Sequence, residues 1–567
     1  MSLIGALNTG QSGLAVAQAA IQVTGNNISN AADPNYTRET IETSPAADQQ
    51  LQPGIFIGSG VDLTSVQRQI DDALQSRLRG AISDNQGAST TQQWLTQVQS
   101  IFNALGTTNL STSMSTFFND WSNLANKPQD MGLRQVVLQD GANLAQMFNG
   151  QVQQLDSLSS SVGSEISTQV QAANNLASQV AGLNGQIVVA EAGTGGTANS
   201  LRDQRDAILG QLAQLMHITT VPQPNGVVDV YVGSQPLVSN TLSQTLAVTS
   251  QSVNGTPTPT VVFQATNGAV PLGSGGQLGA LSDMQARISG VVSQEDNLAH
   301  NLIFELNKLH SSGQGLEGLS SMTATNAVAD PTQPLNSAAA GLAFAPTNGS
   351  FVVHVQQAGS SQVNSTLVQV NLTGSPSDTT LNSLAASLNA INGITATVNG
   401  GTLQISATNS SEQISFSQDS SGVLAALGIN SFFSGKDATD IAVNSTVASQ
   451  PQLLAAAKNG DPTDNQTALA IASLASQPAA TLNGASLNDT YQSMIDGIAS
   501  QTNAAQTNAQ AAQTVQTALQ AQRDSLSGVS LNEEAVNLIK QQQAFMGASR
   551  VINVVNQMMQ TLFTMVQ

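Results

Sequence analysis

Two heptad seams, one at each extreme of the chain, constrain the fold more than any other feature. Near the start, Leu3, Leu7, Gly10, Leu14, Ala17, Ile21, Thr24 and Ile28 alternate spacings of four and three. At the other end, Leu531, Leu538, Phe545, Ile552, Met559 and Val566 recur every seven residues, and Ala548, Val555 and Leu562 supply the second position. Sustained heptads belong to helices that pack on other helices. A lone seam more often marks an ordinary amphipathic helix on a globular core. A matched pair at both termini favours coiled-coil packing. Gly5, Gly10 and Gly13 each cost about 1 kcal/mol relative to Ala in a helix interior, so the first helix is marginal on its own. Both ends are therefore expected to fold on assembly. In an isolated chain, roughly the first 50 and last 40 residues should be disordered.

Between the seams the pattern changes several times. Ile55 to Val61 alternates and turns like a short strand pair. From about Ser65 to His217 the spacing is helical, through Trp94, Leu95, Val98, Ile101, Phe102 and Leu105, and again through Leu144, Met147, Val152, Leu155, Leu158, Val162 and Ile166. Strand signals return at Val227–Val232 and Thr260–Phe263, and helix resumes over about Leu278–Leu309. A strand-and-turn segment follows, with strands at Phe351–Val355, Leu367–Leu372, Ile394–Val398 and Thr402–Ser406 and one helix near Thr380–Asn392. Helix then runs from about Gln450 to the end, broken at Pro462, around Pro478–Gly484 and near Gly528.

These shifts predict a multidomain, mainly α protein with coiled-coil-forming terminal helices, a discontinuous helical-bundle domain with some strands, and an inserted β-rich α+β domain. The expected boundaries are 1–50 for the N-terminal helix segment, which pairs with the C-terminus. The first part of the helical domain is 51–328, with a short β element near 217–265. The insert is 329–435, the return of the helical domain 436–525, and the C-terminal helix 526–567. A length of 567 residues is in keeping with about three to five domains.

Composition removes several functions. Charged residues are only 9% of the chain, against about 25% in ordinary soluble domains, so the surface is neutral and hydrogen-bonding. With 15 basic against 35 acidic residues and a net charge of −20, there is no basic patch for nucleic acid or for an anionic membrane. Cysteine is absent, which excludes disulfides, thiolate metal sites and thiol nucleophiles. No apolar run approaches the ~20 residues that span a bilayer. Met1 to Thr37 holds no Lys or Arg, so the basic region of a secretory signal peptide is missing.

The catalytic inventory is thin, and no catalytic, cofactor-binding or metal-binding residue is assigned. His217, His300, His310 and His354 have no metal-ligand spacing; His300 and His310 fall about 80° out of register on a helix and read as structural. Gly193–Gly196 lacks the Lys-Ser/Thr ending of a phosphate loop, and Gly273–Gly276 lacks the dinucleotide spacing. Arg202, Asp203, Arg205 and Asp206 place opposite charges three or four apart, which predicts a surface pair network along one helix.

Short motifs at both ends carry a resemblance. Asn26-Asn27-Ile28-Ser29-Asn30, followed by Asn35-Tyr36-Thr37-Arg38, resembles the N-terminal signature of the flagellar rod, hook and hook-associated axial proteins. Asn35 stands where that family usually has Gly, and Asn tolerates left-handed backbone better than most residues. Ser527 to Glu534, continuing through Gln541–Phe545 and Arg550–Ile552 to Met559, resembles the C-terminal signature. Ser530 there is a helix N-cap, and Glu533 three residues on would complete a capping box. Inside the chain, Asn199–Asp206, Val230–Val238, Gly275–Leu281, Phe432–Gly435 and Asp440–Val443 are similar to the hook-associated protein 1 branch. The insert, through Leu388–Asn392 and Gly400–Leu403, is similar to a β-rich repeat of flagellins and hook-associated proteins.

The resemblance implies a structural subunit of the hook–filament junction, not an enzyme, with no cofactor, located outside the cell on the flagellum and exported by the flagellar type III apparatus. Implied partners are copies of itself, the flagellar hook protein, the second junction protein (hook-associated protein 3) and an export chaperone docking on the C-terminal helix; no nucleic acid and no membrane. The expected assembly residues are Leu7, Leu14, Ile21, Asn26, Asn27, Ile28, Asn30, Tyr36 and Arg38. At the other end, Leu531, Leu538, Phe545, Ile552, Val555, Met559, Leu562 and Val566 would serve assembly and the chaperone. A hook subunit, another axial protein of the same superfamily, or a secreted adhesin whose insert binds a host surface are the alternatives.

Overall fold

The computed structural model describes residues 3–52, 54–102, 109–193, 196–253, 256–360 and 362–566. In chain order, helix α1 (Leu3–Ser29) is followed by β1 (Glu39–Pro45), β2 (Gln49–Gln52), β3 (Ile55–Ile57) and β4 (Val61–Arg68). Four long helices come next: α2 (Asp72–Phe102), α3 (Leu110–Asn126), α4 (Met131–Glu191) and α5 (Asn199–Leu215). Strands β5 (Thr219–Pro222), β6 (Val228–Val232), β7 (Gln235–Ser239), β8 (Leu242–Ser243), β9 (Leu246–Val253) and β10 (Thr256–Phe263) lead to α6 (Gly276–Ser311). Then come β11 (Ser321–Thr323), β12 (Gly349–Gln357), β13 (Val363–Val370), α7 (Leu381–Asn389), β14 (Ile394–Asn399), β15 (Thr402–Ala407), β16 (Glu412–Ser417) and α8 (Val423–Leu427). The chain ends with β17 (Phe433–Ser434), β18 (Ala442–Val443), α9 (Ser445–Ser449), α10 (Gln466–Ser473), α11 (Leu487–Ser527) and α12 (Leu531–Val566). The architecture is mainly α, with small antiparallel sheets.

The residues gather into two compact units. One comprises 1–94, 161–285 and 503–567. In it α1 pairs with α12, and a two-stranded ribbon of β1 and β4 runs beside α1. Leu74, Leu78 and Ala81 of α2 bury against Leu519 of α11. The four-stranded sheet β5-β6-β7-β8 rests on the apolar side chains of Val228, Val230, Val232, Leu237 and Val238, all buried.

The other unit comprises 95–160 and 286–502. Its helical part is built on Phe117, Trp121, Phe432 and Phe433, whose rings lie 4.7–6.4 Å apart. Arg134 is 1% exposed and donates only to carbonyls: Pro128 O from Nε and Nη2, and Leu454 O and Pro451 O from Nη1. The α+β part packs α7 beside β14, with the sheets β11-β15-β14 and β13-β12-β16 enclosing Phe351, Val353, Leu384, Leu403, Ile405 and Phe416. Thr380 caps α7 through a reciprocal box with Ser383, so the helix starts at Leu381.

Three sequence readings change. The helix expected from Ser65 begins at Asp72, because Ser65–Arg68 complete the ladder opposite Glu39–Glu42. The helix expected from Gln450 starts only at Gln466. Pro451 and Pro462 interrupt it, and Asp464 accepts from Lys458 N and Asn459 N to form a turn. Strands β1, β9 and β16 were not anticipated; they are rich in Thr, Ser, Glu and Gln, and pairing rather than apolar alternation defines them. The helical spacing continued to Leu105, and the middle of Gly193–Gly196, lie outside the described residues.

Candidate functional site: where the two chain ends lock together

Helices α1 and α12 run antiparallel in one register. A Cβ on Gly10 would lie 2.9 Å from Ile552 Cγ1, Gly13 faces Ala548, and Asn27 Nδ2 donates to Glu534 Oε2 at 3.2 Å. By that register Leu7 is level with Val555, Ala17 with Phe545 and Thr24 with Leu538. At Gly10, Ala17 and Thr24, large side chains on α12 thus meet small ones on α1. The glycines that weaken α1 alone are what let α12 approach it, as small residues do wherever helices pack closely.

Of the expected N-terminal seam, Gly10, Ala17 and Thr24 are buried, and Leu3, Leu7, Leu14, Ile21 and Ile28 are half-buried. On α12, Val555 is buried and Leu538, Phe545, Ile552 and Met559 are half-buried. Leu531 and Leu562 are 57% and 51% exposed. Leu531 is the first residue of α12, ahead of the lowest buried position, Glu534. Leu562 keeps the phase of buried Val555 but lies beyond the level of Leu3, the first described residue of α1; it joins a flanking stripe on which Val551, Val554, Met558 and Met565 also stand exposed. The side chain of Val566 lies outside the described residues.

At one end of the seam the N-terminal signature becomes a hydrogen-bond lock. Asn27, 1% exposed, donates to Glu39 O and Glu534 Oε2, and its Oδ1 accepts from Glu39 N and Tyr36 Oη. Arg38 donates to Glu534 Oε1 from Nε and Nη2, both at 2.8 Å, and reaches Glu533 Oε2 at 3.2 Å from Nη1. Glu534 is 2% exposed, so the pair is largely dry and its attraction little screened. Arg38 N also donates to Ser527 O. Asn26 Nδ2 reaches Tyr36 Oη and Glu39 Oε2, and Asn30 Nδ2 donates back to Asn26. Burial first, then the carboxylates of Glu39, Asp203 and Glu534, push the Tyr36 phenol well above its ordinary range, so it serves as a neutral hydroxyl.

Helix α5 extends the lock. Asp203 Oδ2 accepts from Thr37 N, and Arg68 Nη1 bridges Asp203 Oδ1 and Asp206 Oδ2 at 2.8 and 2.7 Å. Burial opposes the charge on Arg68, yet Asp206 and Asp203 together hold its pKa above the ordinary value. Asn199 Nδ2 donates to Glu39 Oε1 and Val66 O. Arg202 pairs with Glu191, and Arg205, 2% exposed, donates to Asn184 Oδ1 and Gly226 O. The surface pair network expected along this helix is therefore replaced by partners outside it. Spacing could not show this, because all four residues can pair either way.

Two further details refine the sequence reading. Ser530 Oγ accepts from Glu533 N, which is the N-cap half of the expected box, while the Glu533 carboxylate lies on Arg38. Asn35 does not adopt a positive φ, so the usual Gly is not required by left-handed backbone. A cavity of about 430 Å³ opens beside the lock, bordered by Asp33, Tyr36, Arg38, Arg523 and Glu533. Sequence reasoning missed Glu39, Arg68 and Asp203 as lock members; only the loop geometry after α1 brings them in.

Two family models match parts of the chain that include α5 and α12. Residues 95–324 match the family described as the flagellar hook-associated protein FlgK helical domain, and residues 516–565 the flagellar basal body rod FlgEFG protein C-terminal family. Flagellar hook-associated protein 1 of Escherichia coli (strain K12) is 28% identical over 268 residues, 47% of this chain and 49% of that protein. Its counterpart from Salmonella typhimurium is 30% identical over 254 residues, 44% of this chain and 46% of that protein. The chain thus spans about half the length of the curated relatives it matches. The solved flagellar hook junction protein FlgK from Burkholderia pseudomallei shares the fold, with a TM-score of 0.50 and 18% identity over 80% of this chain and 100% of that one. With the helical-domain match inside and the rod-type match at its end, the chain is similar over these segments to flagellar hook-associated protein 1.

Proposed function

We propose that this protein is a structural, non-catalytic subunit of the bacterial flagellum that joins hook to filament and is required for filament assembly. The observation that carries the reading is the unfinished helix pair. Beside the line that α1 covers, α12 still presents Val551, Val554, Met558, Leu562 and Met565, all at least 43% exposed. Spacings of three and four place them on one stripe. No charged residue lies between Val551 and Met565, and such a stripe is satisfied by further helices. Copies of this chain would supply them. The expected neighbours along the axis are the hook protein and the second junction protein, hook-associated protein 3.

Before assembly the stripe needs cover. An export chaperone holding the segment from Leu531 to Val566 would supply it, and the flagellar type III apparatus would carry the chain to the cell exterior. The domain limits 1–50, 51–328, 329–435, 436–525 and 526–567 are proposed as the functional divisions. The helical-domain match favours a junction subunit over a hook subunit. Electron microscopy of a strain lacking the gene, with flagellin assayed in the medium, tests the proposal. Bare hooks with shed flagellin are expected. Missing hooks would move the protein to the hook, and normal filaments would leave the adhesin reading.

A further inference from the structure

We propose that the cavity between α2, α5 and α11 is a binding site for the carboxylate of a short aliphatic acid, with Arg79 as its cation. The cavity lies within the first unit, has a volume of about 330 Å³, and is bordered by Pro34, Asn35 and Thr37 of the loop after α1. Arg79 on α2 and Arg523 on α11 both line it.

Arg79 is the residue that calls for a ligand. It is half-buried, and among the described residues its guanidinium has one hydrogen bond, from Nη2 to Thr220 Oγ1 at 2.9 Å, and no ion pair. Arg134 and Arg205 also lack a carboxylate partner, but carbonyl oxygens take their donors. Arg79 has a hydroxyl alone, for a planar fork of five N–H donors. Asp206, the carboxylate that lines the same cavity, is already held by Arg68 at 2.7 Å. Burial pulls the Arg79 pKa below its ordinary value, against Asp206 and Asp72. A cation taken from water without a counter-charge is unfavourable, and an incoming carboxylate matches the fork with two parallel hydrogen bonds.

The charges around the cavity set the ligand class. Arg523, which donates to Pro34 O at 3.0 Å and pairs with Asp524 at 2.8 Å, adds positive potential, while Asp206 opposes a second negative charge. A monoanion is therefore favoured over phosphate. Leu78, Ile82 and Ala207 give the cavity an apolar stretch for a short aliphatic stem. The same group has two sources: a free short-chain acid, or an Asp or Glu side chain of a neighbouring copy, which a chain with 35 acidic residues supplies in number. A side chain entering a neighbour's cavity is a head-to-tail contact and needs no two-fold axis.

The test uses the full chain, with propionate as probe and propionamide as its neutral isostere, at constant ionic strength set with sodium chloride. Amide exchange of residues 75–82 is followed in wild type, Arg79→Gln and Arg523→Gln, with near-ultraviolet circular dichroism confirming each fold. Propionate at about ten times its dissociation constant should slow the wild-type amides about tenfold and saturably; propionamide should not. Arg79→Gln should abolish the effect, and Arg523→Gln should weaken it severalfold. If Arg79→Gln does not fold, Arg79→Lys, which keeps the charge without the fork, should bind severalfold more weakly. Sedimentation separates the sources. Self-association that Arg79→Gln abolishes and propionate reverses assigns the carboxylate to another copy; a monomer saturated by propionate assigns it to a free acid. No saturable effect in wild type, equal effects of propionate and propionamide, or an unchanged effect in the Arg79 variant overturns the proposal.

Discussion

Replacing Arg38 with Ala removes the cation that balances a buried carboxylate. Glu534, 2% exposed, would keep only the Asn27 Nδ2 bond at 3.2 Å. Breaking one side of a buried pair costs about 3–5 kcal/mol. The Arg38 side chain is 18% exposed, so some water can reach the vacancy and the lower end, about 3 kcal/mol, is expected. Glu533 is 63% exposed, and Glu533→Ala should cost at most about 1 kcal/mol. The readout is native-state amide exchange along α1 and α12, which reports local opening. At about 1.4 kcal/mol per tenfold, Arg38→Ala should speed the amides near Asn27 and Glu534 about a hundredfold, with Glu533→Ala within tenfold of wild type. Arg38→Met combined with Glu534→Met should recover most of the loss, because an apolar pair of similar volume leaves no buried charge. Equal effects of Arg38→Ala and Glu533→Ala, or a double variant worse than Arg38→Ala, would refute the reasoning.

Other outcomes follow from the same structure. Gly10→Val should loosen the α1–α12 pair by about 1–3 kcal/mol through overpacking, and adding Ile552→Ala should restore exchange protection; no recovery would mean Gly10 is not a packing constraint. His310 accepts from Ala455 N and holds Asn430 O at 2.8 Å, and burial lowers its pKa to about 4. Its contribution is present above pH 6.5, the unfolded value, and is lost as pH falls toward 4. His310→Phe should therefore flatten the acid limb of the urea midpoint, and an unchanged limb would contradict the assignment. Glu295 runs the other way: burial first, then Asp296, raises its pKa to about 8, with both oxygens unpartnered. Its protonated form stabilises the fold fully below pH 4.5, and that contribution is lost as pH rises to about 8. Glu295→Gln should raise the urea midpoint most at pH 8, followed by Trp121 fluorescence in a Trp94→Phe background. A midpoint unchanged at pH 8 would sink that account.

The helical periodicity and the paired seams were legible because period and side chain are local properties. Gly10, Ala17 and Thr24 fall on the buried line that the spacing marks. The seven-residue count runs on through Leu531 and Leu562, which stand exposed where the described part of the partner helix no longer reaches α12. The lock was half legible. Asn27, Tyr36 and Arg38 stand in a motif, but Glu39, Arg68 and Asp203 join through contacts spanning 12 to 166 positions. Neither periodicity nor propensity carries such distances. The strands β9 and β16 were hidden for a similar reason, since a polar strand is defined by its neighbour.

The nearly charge-free seam has a consequence for ionic strength. Between Leu3 and Ala32 no residue is charged, so the α1 side of the pair offers nothing for salt to screen. At the lock, the Arg38–Glu534 pair is too buried for a Debye length of about 8 Å at physiological ionic strength to matter much. Chloride at marine levels should leave the helix pair intact, and excluded salts such as sulfate should tighten it. The joint between the two ends of this chain is indifferent to the water it works in.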